Sequence, residues 1–305
     1  MATGTPVTAR DRPAHTPYDG RSQAFTIGLR QIEPEAWLTP DDELAAYLAE
    51  KRRLLATTRD TVLMVEEDST PAQEELLDWL TGHLETEHAA THRRDGNRMH
   101  VAGEAVDLAA GPPILAAGLL VQEDFVLMSP SPKGWRLTAA FVAFPSSWSL
   151  PEKFGRTMDE IHEPVPGFSA GTRNAELVNR MFDRLPADRI VERFNWSINE
   201  TGALHTPKTK AESEQAQPKP FDRDRTFIRI ERQTLRRLPQ SGALVFTIRI
   251  HTDPFDILAR APDAPALAAS FIRELEGLSL PEAAYKGLAS RRAGLVRALK
   301  QIAGE

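Results

Sequence analysis

The stretch MDEIHEPVPGF, residues 158 to 168, sets His162 at the end of a short helical run and follows it with Pro164, Pro166 and Gly167. Proline disfavours helical geometry in the residue before it, so Pro164 acts on Glu163 and ends the run. An imidazole in that frame is either a surface residue near a helix end or a ring aimed at a fixed point, where it could bind a metal or move a proton. The carbonyls at a helix C-terminus would also favour imidazolium. Spacing alone leaves both readings open.

A second group lies in FIRIERQTLRRLP. In an extended strand Arg229, Glu231 and Gln233 fall on one face, and Ile228, Ile230 and Arg232 on the other. A polar strand face is either a solvated surface laced with ion pairs or the wall of a polar cavity. The preceding FNWSIN puts Phe194, Trp196 and Ile198 on one face and Asn195 on the other, and its aromatics read most simply as core. HLETEHAATH reads as helical and places His88 and His92 four apart. Residues 89 and 90 are alanine, so the zincin glutamate is missing and a solvated polar face is expected. His205 and His251, near strand ends, read as surface or hydrogen-bonded residues.

Composition removes several classes of chemistry. The 305-residue chain contains no cysteine, which excludes thiolate zinc sites, cysteine nucleophiles and iron–sulfur clusters carried on it. A net charge of -6 argues against nucleic acid as a partner. No run of eighteen apolar residues occurs, so no membrane span is expected, and the polar start of the chain lacks a secretory signal, which makes a cytoplasmic protein the expectation. G-x-S-x-G, G-x-x-x-x-G-K-[ST] and a strand-following G-x-G-x-x-G are all missing, so nothing supports a serine hydrolase, a P-loop NTPase or a nucleotide-bound reductase.

The elements that must position these residues follow from period and punctuation. Residues 1–22 read as a disordered lead-in and 23–305 as one domain. Two N-terminal helices are expected, the first capped at Thr39 with Pro40 and a capping box to Asp42, the second at Thr70 with Pro71 and Gln73. Two strands around a Pro132-Lys133-Gly134 turn, short helices through His162, a helix in GTRNAELVNRMFDRL and three further strands come next. The last two strands join through Pro239-Gln240-Ser241-Gly242. Residues 208–226 read as a flexible polar segment or lid, and two helices close the chain. The predicted class is α+β: a PAS-like antiparallel sheet of five strands with covering helices, plus added N- and C-terminal helices.

Five segments together resemble the haem-dependent oxidative N-demethylase family, whose catalytic subunit is a haem-binding PAS domain. They are VQEDFVLM, WRLTAAFVAFPSSWSLPEKFGRTMDEIHEPVPGF, RFNWSI, FIRIERQTLRRLPQSGALVFTIRIHTDP and AAYKGL. The resemblance implies one haem b with His162 as its iron ligand. It implies a polar distal side, for which Arg229, Glu231 and Arg232 are the catalytic candidates, with Asn195 and Trp196 beside them. Lys153 and Arg156, close to His162, are candidates for the haem propionates. The implied reaction is O2-dependent N-demethylation of a small amine such as dimethylamine, releasing formaldehyde. Glu231 would face the amine cation and an arginine the oxygen as it gains charge. Electrons would come from NADPH through FMN and a 2Fe-2S cluster on a separate reductase component. A haem PAS sensor of gas or redox state, or a same-fold enzyme acting on a larger amine or by dehydration, are the competing readings.

Overall fold

The computed structural model describes residues 10–21, 24–208, 212 and 219–305. Ten strands occur among them: β1 (Arg30–Ile32), β2 (Leu63–Val65), β3 (His92–Asp95), β4 (Arg98–Val101), β5 (Glu104–Asp107), β6 (Asp124–Ser131), β7 (Gly134–Phe141), β8 (Ile190–Asn199), β9 (Phe227–Arg237) and β10 (Leu244–Pro254). The large sheet has the order β1-β8-β9-β10-β6-β7-β2, with every pair antiparallel. The class is therefore α+β, but the sheet has seven strands where five were expected. The five predicted strands, β6 to β10, are contiguous within it; the additions are two three-residue strands, one at each edge. The long pair β9–β10 is closed by Leu238 and Ala243, with Gly242 at φ +70° in a conformation that side chains other than glycine's strain to adopt.

Nine helices are described: α1 (Leu44–Val62), α2 (Thr70–Glu87), α3 (Pro113–Leu120), α4 (Leu150–Lys153), α5 (Met158–His162), α6 (Arg173–Arg184), α7 (Ala264–Gly277), α8 (Leu280–Tyr285) and α9 (Arg292–Ala303). Because side chains alternate along a strand, the sheet has two distinct faces. Helices α1 to α3 cover the face that carries Phe125 and Phe141; α3 lies so close that a Cβ on Gly118 would meet the Phe141 ring at 2.0 Å. The face that carries Val126, Ala140 and Leu235 is covered by α5 and α6 through Ile161, Val178 and Phe182. Helices α7 and α9 pack over Trp196, Ile228 and Ile230. No described helix is long and apolar enough to cross a membrane.

Several local expectations are corrected. Residues 10–21 of the expected lead-in are packed: Tyr18 is 1% exposed and stacks on Phe271 at 4.2 Å. Residues 1–9 and 22 lie outside the described set, as do 209–211 and 213–218 of the expected lid; Phe221, at the end of that segment, packs against Phe255. Neither predicted cap forms. Helix α1 starts at Leu44, because Asp41 is drawn into bonds with Arg249 and Gln122. In α2, Gln73 reaches Ser69 and not Thr70. The helix ends at Glu87, so His92 stands on β3, buried and bonded to the Leu120 carbonyl at 2.9 Å. The solvated histidine face is therefore not formed.

Candidate active site

His162 owes its place to two devices in the sequence. At the start of α5, Thr157 and Glu160 form a full capping box: Glu160 N–H donates to Thr157 Oγ1, and Thr157 N–H to Glu160 Oε2 at 2.7 Å. A bridge from Thr157 to Arg136 ties that start to β7. At the far end the Val165 N–H closes a turn on the His162 carbonyl at 2.8 Å, and Gly167 adopts φ +78° to carry the chain away. The five-residue helix is thus fixed at both ends, and His162 is its last residue.

The imidazole is half-buried and makes no hydrogen bond to any described residue. Burial, and next the positive charges of Lys153 and Arg193, lower its pKa from 6.5 to about 4, so it is neutral at physiological pH. The helix-end preference for imidazolium is outweighed. Lys153 and Arg193 are likewise half-buried, yet desolvation is the largest influence on each. Each is therefore partly accessible yet poorly hydrated. The His162 ring lies 6.1 Å from that of Phe168, in an apolar cluster against which Phe154, Ile161, Val165, Val191 and Phe246, all partly buried, also pack.

The strand pairing places the polar wall. Register sets Asn195 opposite Glu231, Arg193 opposite Gln233 and Ser197 opposite Arg229, so these six share one face. Glu231 Oε2 accepts from Gln233 Nε2 at 2.9 Å and from Asn195 Nδ2 at 3.4 Å, while Oε1 has no donor among the described residues. Lys286, on the turn after α8, donates to Asn195 Oδ1 at 3.3 Å and to the Trp196 carbonyl at 2.6 Å. Desolvation lowers its pKa to about 8, opposed first by Glu231. Glu231 also opposes the desolvation of Lys153, Arg193 and Arg229. It is the carboxylate whose charge these four cations share.

The predicted residues divide accordingly. His162, Lys153, Asn195 and Glu231 come together. Arg229 shares their face, but its guanidinium is committed: Nη2 donates to the Phe144 carbonyl at 2.8 Å and Nη1 to that of Ala203 at 3.2 Å. Three candidates are corrected. Arg232 points to the opposite face, where it bonds Glu192 at 2.8 Å and the carbonyls of Trp37 and Ala36. Trp196 points the same way as Arg232 and donates to Glu274 at 2.8 Å. Arg156 is exposed in the loop between α4 and α5, where its carbonyl accepts from the Leu137 N–H of β7 at 3.1 Å. Arg193 and Lys286 were missed. Arg193 stands two residues before Asn195, so the same alternation that placed Asn195 contained it. Lys286 lies in the AAYKGL segment quoted above, but no period or spacing places it here, since it arrives from a turn 90 residues after Trp196.

The donor set fits a haem better than a bare ion. Among the described residues no group of three or more His, Asp or Glu could hold a metal. A single neutral imidazole beside apolar side chains suits an iron whose other ligands would come from a porphyrin. A family model described as haem-dependent oxidative N-demethylase, alpha subunit-like, matches residues 28–296, which span the sheet, both polar faces and His162. The chain therefore belongs to the haem-dependent oxidative N-demethylase alpha subunit-like family.

Proposed function

We propose that this chain is the haem-carrying catalytic subunit of a cytoplasmic multi-component enzyme that uses O2 to remove an N-methyl group from a small, dimethylamine-like amine as formaldehyde. The observation that carries the reading is the neutral imidazole of His162, without a hydrogen bond among the described residues, beside Lys153 and Arg193, two cations that Glu231 also attracts. The contiguous strands β8-β9-β10-β6-β7, helix-covered on both faces, support a PAS-like core for the haem cavity.

Haem b, held by His162, would supply the redox-active iron at which oxygen is reduced. The chain's own residues supply the rest. His162 offers a lone pair because burial keeps it neutral. Glu231 presents Oε1 to the cavity while Gln233 and Asn195 hold Oε2, so it can accept the N–H proton of an amine that enters as a cation. Arg229, tied to two carbonyls, keeps that end of the cavity positive without moving. Phe154, Ile161 and Val165 exclude water. NADPH, FMN and a 2Fe-2S cluster belong to a separate reductase component in this reading, since a cysteine-free chain cannot ligate such a cluster.

Purified protein supplied with haem should show a Soret band that shifts on reduction and again with carbon monoxide, and His162→Ala should lose that response. A colourless wild-type protein would refute the assignment. Glu231→Gln should load haem normally and bind the amine about tenfold more weakly, since one charge-assisted hydrogen bond is lost; calorimetry with dimethylamine checks this. The sensor reading predicts no turnover with NADPH, a reductase component and an amine, and that assay separates the two.

A further inference from the structure

The cations around Glu231 are not equivalent. Arg229 is bonded to two backbone carbonyls, and Lys286 to Asn195 and a carbonyl. Lys153 and Arg193 have no such acceptors. Among the described residues Arg193 makes no hydrogen bond or ion pair, and its Nε is buried without a partner. Lys153 has only the face of Trp148, 4.3 Å from its ammonium. Glu231 attracts both, yet neither lies within ion-pair distance of it. A desolvated guanidinium without a partner costs free energy; Arg236 on the other face meets that cost with the rings of Trp37 and Trp79, at 4.4 and 4.1 Å, whereas Arg193 has no such ring contact among the described residues.

We propose that Lys153 and Arg193 form a two-point carboxylate site on the cavity wall beside His162. The inference rests on the haem-cavity reading above and narrows what that cavity binds. The arrangement suits carboxylate chemistry: a planar fork that can bond two oxygens and a point charge that follows. Two sources present that group to this wall. One is the pair of propionates on the porphyrin. The other is the substrate itself, which would then be an N-methylated amino acid and not a bare alkylamine.

Binding measurements separate these sources without relying on turnover. Apoprotein is titrated with haem and with haem dimethyl ester, in which the carboxylates are blocked, for wild type, Arg193→Met, Lys153→Met and the charge-preserving Arg193→Lys. Haem-loaded protein is then titrated calorimetrically with N,N-dimethylglycine and with dimethylamine. If the porphyrin is the source, each Met variant weakens haem about tenfold to a hundredfold and leaves the ester unchanged, with Arg193→Lys in between. If the substrate is the source, haem affinity is unchanged, and the same loss falls on dimethylglycine and spares dimethylamine. The proposal is overturned if no probe responds, or if haem and its ester weaken equally, since either result means the cations only pack. Failure of the wild type to bind haem would overturn the haem reading instead. Dimethylglycine titrated into apoprotein would then decide the carboxylate site by itself, with no Arg193-dependent binding overturning it.

Discussion

The two faces of the large sheet both bury charge, but they treat it differently. On the face under the N-terminal helices, Arg232 pairs with Glu192, Arg249 with Asp41, and Arg10 with Glu43. His251 has Arg10, and Asp253 accepts from the Ala14 N–H at 3.0 Å. Arg236, buried on the same face, has no ion pair among the described residues but lies 4.4 Å from the Trp37 ring and 4.1 Å from that of Trp79. On the opposite face, Lys153 and Arg193 have none within bonding distance, and Glu231 keeps one oxygen free. Buried charge is tolerated when it is paired and bonded. The first face is therefore the more complete as folded, while on the second two cations and one carboxylate oxygen have no bonded partner among the described residues.

The sharpest way to break this contrast is to cut one pair on the complete face. Glu192→Ala leaves Arg232, 4% exposed, without its carboxylate and releases Arg30 as well. The expected loss is about 3 kcal/mol, at the lower end of the usual range for an orphaned buried charge because two carbonyls still hold Arg232. Urea denaturation with an unchanged m-value reads it out. Arg193→Met in the haem-free protein should do the reverse: it removes an unpaired desolvated charge, so the midpoint should hold or rise. If both variants lose equal stability, the two faces do not differ in the way described.

The same contrast explains which parts of the molecule the sequence could reveal. Strands β6 to β10 were legible because β-branched, aromatic and other apolar residues concentrate in runs of eight to eleven residues bounded by turn residues. Strands β3 to β5 were not, because HRRD and EAVD carry almost no apolar signal and β3 follows a helix by four residues. Alternation placed Arg229 and Glu231 on one face, which the register bears out. It could not say that Phe144 and Ala203 would claim the guanidinium of Arg229, since those carbonyls belong to distant loops. The same kind of long-range contact moved the start of α1, where Arg249, 208 positions away, captures Asp41. Arg156 is close to His162 in sequence, but the chain between α4 and α5 runs along β7 there and leaves its side chain exposed. What periodicity reports is the face of an element; which groups meet across elements is decided by the fold.

A smaller effect should appear in acid, and on the complete face. His15 sits between Phe194 and His251, with Arg232, Glu192, Arg10 and Arg249 acting on it. Burial first, and then the arginines, lower its pKa from 6.5 to about 4. Between those values the unfolded chain holds a proton that the fold does not. Its contribution is therefore complete above pH 6.5 and lost as pH falls towards 4. His15→Asn should flatten the fall in stability across that window by up to about 1.4 kcal/mol per pH unit, the weight of one proton. An unchanged slope would mean that His15 does not differ in proton uptake between the two states.

The smallest expected effect bears on the less complete face. Thr157→Ala removes half of the capping box while leaving Glu160 and the Pro164 stop in place. Losing such a cap costs about 1 kcal/mol of helix stability. In a helix of five residues that is a large share of what holds it, so the penalty should fall on the placement of His162 more than on global unfolding. The variant should unfold within about 1 kcal/mol of wild type and still bind haem. Its Soret band should broaden, because the imidazole samples more than one approach to the iron. Thr157→Ser, which keeps the hydroxyl acceptor, should restore the band. If Thr157→Ala instead lowers stability with an unaltered spectrum, the cap supports the fold and the Pro–Gly turn alone sets the ring.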